Sequence, residues 1–153
     1  MNNRRVSAII SLVICILSSV LLVVWIFTFP RFFNWFYVVY HDLTNADVIA
    51  IQKIVVAAFY GCVPFAGAAL ACLIKMLLNI LRDDTFTKQN VTLIRIISWC
   101  CYAVTLITFV AGLRYFPLWI VAFATAVVGT LLRVMKNLLQ SAVELKEENE
   151  LTI

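Results

Sequence analysis

The chain has 153 residues, 64% of them hydrophobic and 13% charged, with a mean hydropathy of +1.01. Soluble domains are about 45–50% apolar and about 25% charged, so a water-soluble globular domain is excluded and lipid is the expected solvent. The formal net charge is +4, and its placement along the chain decides what it means.

Four uncharged runs, 6–30, 54–74, 96–113 and 115–132, are long enough to cross a bilayer, the shorter two by borrowing from their flanks. A hydrocarbon core roughly 30 Å thick needs about 20 helical residues, whereas a barrel strand needs only about 10 alternating ones. The expected fold is therefore all-α, a single integral membrane four-helix bundle. Its spans are expected near 6–29, 54–81, 94–113 and 118–140, with an outer loop at 30–53, an inner hairpin at 82–93 and a tail at 141–153.

The first span could be mistaken for a secretory leader. It exceeds the usual ~7–15-residue apolar core, and bulky Pro30-Arg-Phe-Phe-Asn-Trp-Phe follows it where small residues would be cleaved. It reads as a retained helix that Pro30 ends or bends. Six aromatics between Phe32 and Tyr40 then suggest an interfacial belt, or else the wall of a ligand or peptide site. His41, the one imidazole in the chain, stands beside Asp42. Thr44 fits an N-cap, with Asp47 as its box partner and Leu43 and Val48 as a staple.

The second helix would run from 45 to 81, about 37 residues or roughly 55 Å, longer than the bilayer is thick. Pro64 is the expected bend. Small residues at Ala57, Gly61, Gly67 and Ala71 offer a face for close packing, and a discontinuous helix at a transport site is the functional alternative. No Asp or Glu lies within any span, which argues against a carboxylate pathway for protons or cations.

The hairpin LRDDTFTKQNVTLIR, 81–95, is the most polar interruption of the apolar sequence. Thr87 can cap a third helix, Asn90 holds the return position of the box, and Phe86 can staple to Val91. The fourth helix starts near Leu118, and its apolar pattern continues past Arg133 through Leu138, Leu139, Ala142, Val143 and Leu145. The acidic tail that follows either stays solvated or folds back onto the basic hairpin.

Nine Lys and Arg residues fall on the side of the termini and hairpin (Arg4, Arg5, Lys75, Arg82, Lys88, Arg95, Arg133, Lys136, Lys146). Three fall on the other (Arg31, Lys53, Arg114). This bias places both termini in the cytoplasm, and it accounts for the net charge without direct nucleic-acid binding. The five cysteines all lie in spans without metal-ligand spacing, so neither a disulfide framework nor a metal or other cofactor is expected. With no nucleophile–base set, phosphate loop or paired intramembrane carboxylates, an enzyme is not expected.

Phe86-Thr-Lys-Gln-Asn-Val91, with Arg95 and Ile97 after it, resembles the inner-loop motif of domain-of-unknown-function family 2975. The ending Leu145-Lys-Glu-Glu-Asn-Glu-Leu-Thr-Ile153 is similar to that family's C-terminus, with Leu93 and Glu150 as departures. The resemblance implies a small four-helix protein of the bacterial inner membrane. It also implies a small cytoplasmic helix-turn-helix regulator as a partner.

On this reading the chain is a binding and regulatory module. The candidate docking residues are Phe86, Thr87, Asn90, Arg95, Glu147, Glu148, Asn149, Leu151 and Ile153. The other reading of the same residues is a structural latch in which hairpin and tail bind only each other. The alternative is a homo-oligomeric small transporter, channel subunit or immunity protein.

Overall fold

A computed structural model describes the backbone of residues 2–40, 46–82 and 87–151, and the side chains of 6–35, 49–82 and 87–149. It contains four helices, α1 (Asn2–Tyr40), α2 (Ala46–Leu81), α3 (Lys88–Gly112) and α4 (Pro117–Leu151). All four are long and apolar enough to cross a membrane, so the chain is a multi-pass, all-α membrane protein.

Among the described residues, α1 packs on α2 alone, α2 on α1 and α3, and α3 on α2 and α4. Each helix thus lies antiparallel to its chain neighbour, and both termini point to the same end. The core is centred on α3, which is flanked on two sides and makes the most extensive contact of the bundle with α4. Val91, Leu93, Ile94, Ile97 and Cys100 are buried there. The outward face of α1 is apolar and uncovered, as expected of a surface whose solvent is hydrocarbon.

Helix α1 does not end at Pro30; it continues to Tyr40. The expected outer loop at 30–53 is therefore mostly helical. Residues His41, Asp42, Leu43 and Thr44 lie outside the described residues, as do the side chains of Asp47 and Val48. Proline carries no N–H for the carbonyl four residues earlier, which here belongs to Ile26. The Tyr60 hydroxyl of α2 donates to that same carbonyl at 3.0 Å. A side chain from the neighbouring helix replaces the missing backbone donor, and the helix survives. Phe29 stacks on Phe59 at 4.0 Å one turn away, and Gln52 donates to Asn34 at 3.2 Å further along. Pro64 is likewise contained within α2 without ending it.

The α3–α4 pair is held by a different seam. Leu118, Ala122, Thr125, Gly129, Leu132, Lys136, Leu139 and Val143 are less exposed positions of α4 in alternating steps of four and three, with Ala126 and Ala142 beside them. That spacing keeps one stripe of the helix against a partner. Ser98 donates to the Gly129 carbonyl at 3.1 Å, and the Thr105 and Thr125 hydroxyls meet at 2.9 Å. One of these hydroxyls donates to the other, which donates in turn to a carbonyl of its own helix (Cys101 for Thr105, Val121 for Thr125), so no hydroxyl proton depends on water inside the bilayer. Every buried side-chain nitrogen and oxygen among the described residues has a partner.

Gly112 closes α3 beneath the indole of Trp119. A Cβ there would overlap the ring, and Phe109 stacks on the same indole at 5.4 Å. The chain then turns through Leu113–Phe116 with carbonyls of Val110 and Ala111 accepting the following amides.

Candidate functional site

Helix α4 has 35 residues, about 52 Å at 1.5 Å each, against a hydrocarbon core of roughly 30 Å. Arg133 and Lys136 mark where it leaves the apolar region. Arg133 rests over the rings of Trp99, 5.4 Å to the centroid, and Tyr102, at 5.9 Å. Such cation–π contact fixes a cation at an interface where tryptophan is also favoured. Beyond this level α4 continues as a helix to Leu151, with Val143 buried and the positions from Glu144 to Asn149 exposed.

The start of α3 lies against that extension. Thr87 occupies the N-cap with extended backbone (φ −129°, ψ 147°), as expected, but its side chain makes no capping bond. Its carbonyl accepts from the amides of Asn90 and Val91 at 3.1 and 3.4 Å. Asn90 also reaches across to the neighbouring helix. It is 1% exposed, and its Oδ1 accepts from Asn79 Nδ2 of α2 at 2.9 Å. The same Asn79 amide reaches Gln89 Oε1 at 3.4 Å. Two helices that meet end to end across a short hairpin are thus tied by a buried amide pair. Replacing Asn90 by Ala should cost about 1–2 kcal/mol, because a buried bond is lost in a place water reaches poorly. Detergent unfolding of wild type and variant measures it, and an unchanged midpoint would refute the tie.

On the other side of α3, Lys88 Nζ meets Glu147 Oε1 at 2.9 Å. The tail does not fold back to make this contact. It stays helical and arrives there because α4 runs antiparallel along α3. The two side chains are 77% and 49% exposed, so the pair adds only about 0–1 kcal/mol and chiefly aligns the helix ends. Gln140 donates to Glu144 at 3.0 Å, one turn apart on α4. Between the helices lies a cavity of about 220 Å³ lined by Lys88, Val91, Thr92, Arg95, Gln140, Val143 and Glu144.

The structure therefore brings Thr87, Asn90 and Arg95 to the same end as Glu147, Glu148 and Asn149, but in distinct roles. Asn90 is internal, Arg95 lines the cleft, Glu147 pairs with Lys88, and Glu148 and Asn149 are exposed on α4. Leu151 belongs to α4, while its side chain, Phe86 and Ile153 lie outside the described residues. Of the cleft's lining, sequence reasoning named only Arg95 as a site residue and missed Lys88, Val91, Thr92, Gln140, Val143 and Glu144. The Gln140–Glu144 spacing of one helical turn was a usable signal. Lys88 was hidden among the topology charges.

The family model described as protein of unknown function (DUF2975) matches residues 33–153. The chain belongs to this family. The match covers all of α2, α3 and α4 with the cleft between them, and enters α1 only near its end. No curated protein and no solved structure shows significant similarity to the chain. The DUF2975 assignment thus brings a pattern of residues without an activity attached to it.

Proposed function

We propose that this DUF2975 protein is a binding and regulatory module of the bacterial inner membrane, with both termini in the cytoplasm. The extended ends of α3 and α4 dock a soluble partner, and a small helix-turn-helix regulator is the partner class. The observation that carries this reading is the pairing of the end of α4, a helix longer than a bilayer core is thick, with the start of α3. Its surface offers Arg95, Glu144, Glu148 and Asn149 around a shallow cleft, with exposed Leu138 and Leu145 on the same helix. Polar groups of both signs around apolar anchors suit protein recognition better than catalysis. The nine-to-three distribution of basic residues supports the cytoplasmic orientation.

The test is a crosslinking pull-down from native membranes with the full chain, a chain ending at Val143, and Arg95→Glu. Capture of a helix-turn-helix protein should fall by about tenfold or more in both variants, as for removal of anchor residues worth ≥ 2 kcal/mol. Both variants must still insert, as judged by carbonate-resistant membrane retention. Undiminished capture by either variant would overturn the docking site.

A further inference from the structure

The opposite end of the molecule holds a groove of about 710 Å³ between α2 and α3. Its lining is apolar, with buried small side chains Ala58 from α2 and Ala111 from α3 beside Ile107, and with Ala57 exposed at its edge. Arg114 stands at its rim, where α3 gives way to the turn. Among the described residues no carboxylate pairs with Arg114. On the α1 side of Ala57 a second hollow of about 490 Å³ adjoins the first, lined by Lys53, Gln52 and Asn34. The Gln52–Asn34 hydrogen bond keeps both amides at this level.

We propose that this trough is a phospholipid site, with one acyl chain in the groove, the phosphate on Arg114, and a preference for anionic headgroups set by Lys53. The three ingredients match the ligand separately. A cavity of this size with apolar walls and few polar groups is typical of a specific site. A guanidinium presents a rigid fork that fits phosphate oxygens in pairs. A second cation at the same level favours a net negative headgroup over a zwitterionic one. Position fits too, since Arg95 lies seventeen residues before the end of α3 at Gly112, about 26 Å along the helix, close to one bilayer core, and Arg114 stands in the turn just beyond. The guanidinium therefore sits at headgroup height while the groove descends into hydrocarbon. The third apolar cavity, about 350 Å³ between α1 and α2 near Trp25 and Phe59, has no cation in its lining. It lacks the recognition element.

The site is independent of the partner surface at the other end, and its test does not use a partner. The full chain is reconstituted in vesicles of phosphatidylcholine doped with phosphatidylglycerol carrying a diazirine in one acyl chain. After illumination, labelled peptides are mapped. Label should concentrate on residues 54–58 and 106–114, exceeding that on the lipid-facing stretch 13–21 of α1 by about fivefold, the preference one interfacial basic residue supplies. Arg114→Gln, an exposed substitution with no described side-chain partner to lose, should remove most of that excess. Ala111→Phe should fill the groove and leave label on α1 unchanged. The same probe with a phosphatidylcholine headgroup should label the groove less. Equal labelling of groove and α1, or an Arg114→Gln protein that labels like wild type, would overturn the site. Protein–protein crosslinks from a second copy seated in the groove would do so as well.

Discussion

Gly129→Leu should separate α3 from α4 and destabilise the fold by about 3 kcal/mol or more, the upper range for overpacking a filled contact. Even a single Cβ at this position would stand 3.2 Å from the Cβ of Cys101 and 3.5 Å from Tyr102, with the Ser98 carbonyl at 3.6 Å. A leucine would force the helices apart there. It would also pull the Gly129 carbonyl from the Ser98 hydroxyl, leaving a buried donor without its partner. Gly129→Ala is the informative control. It gains about 1 kcal/mol in helix propensity and loses a comparable amount to the tight Cys101 contact, so it should be close to neutral. Unfolding in SDS–detergent mixtures, followed by far-UV dichroism, measures both variants. A leucine variant as stable as the alanine variant would mean that the seam is not closed at Gly129.

Tyr60→Phe should cost about 1–3 kcal/mol, and the cost should vanish when Pro30 is also replaced by Ala. In the wild type the Ile26 carbonyl has no backbone donor and relies on the Tyr60 hydroxyl. Removing that hydroxyl strands a carbonyl at membrane depth, where no water compensates. Alanine at position 30 restores an N–H at the right place in the helix. The hydroxyl then becomes redundant. The double-mutant cycle among wild type, Tyr60→Phe, Pro30→Ala and the pair should therefore return a coupling of at least about 1 kcal/mol. Strict additivity would show that the two residues do not share the Ile26 carbonyl.

The same pair of residues shows where sequence reading stops. The four spans were legible because their length and apolar content alone decide between lipid and water. Proline reads as punctuation, so residues 30–40 read as loop. The donor that rescues the helix is thirty-four positions away and invisible to any local rule. The helix faces were hidden for a second reason. Where hydrocarbon surrounds the chain, apolar side chains point outward as readily as inward, and hydrophobic periodicity no longer marks the packed side. In α1 the less exposed positions Cys15, Ser19, Leu22, Ile26, Phe29 and Phe33 follow a clear four-three rhythm, yet their outward neighbours are just as apolar. The small and hydroxylic residues Ser98, Thr105, Thr125 and Gly129 carry the information instead. At the candidate site, Thr87 was legible as a helix start from its residue type and context. The Asn90–Asn79 contact was not, since it joins different helices, and of the attraction between acidic tail and basic hairpin only the charge complementarity was legible, not the pairing of Lys88 with Glu147 along two helices.

The neighbour-only order of the helices has a mechanical meaning. Four elements in a row are connected in series, without a shortcut between the first and the last. A force or tilt applied to α1 reaches the projecting end of α4 by way of the Tyr60 joint, then the α2–α3 contact, then the Ser98–Gly129 seam. Compliance adds at every step, as it does for stacked repeats whose units touch only those beside them. Stiffening one joint sharpens transmission along the whole row, and loosening one uncouples everything beyond it. The chain is thus arranged like a lever train, with its narrowest coupling at the single interface that holds α1.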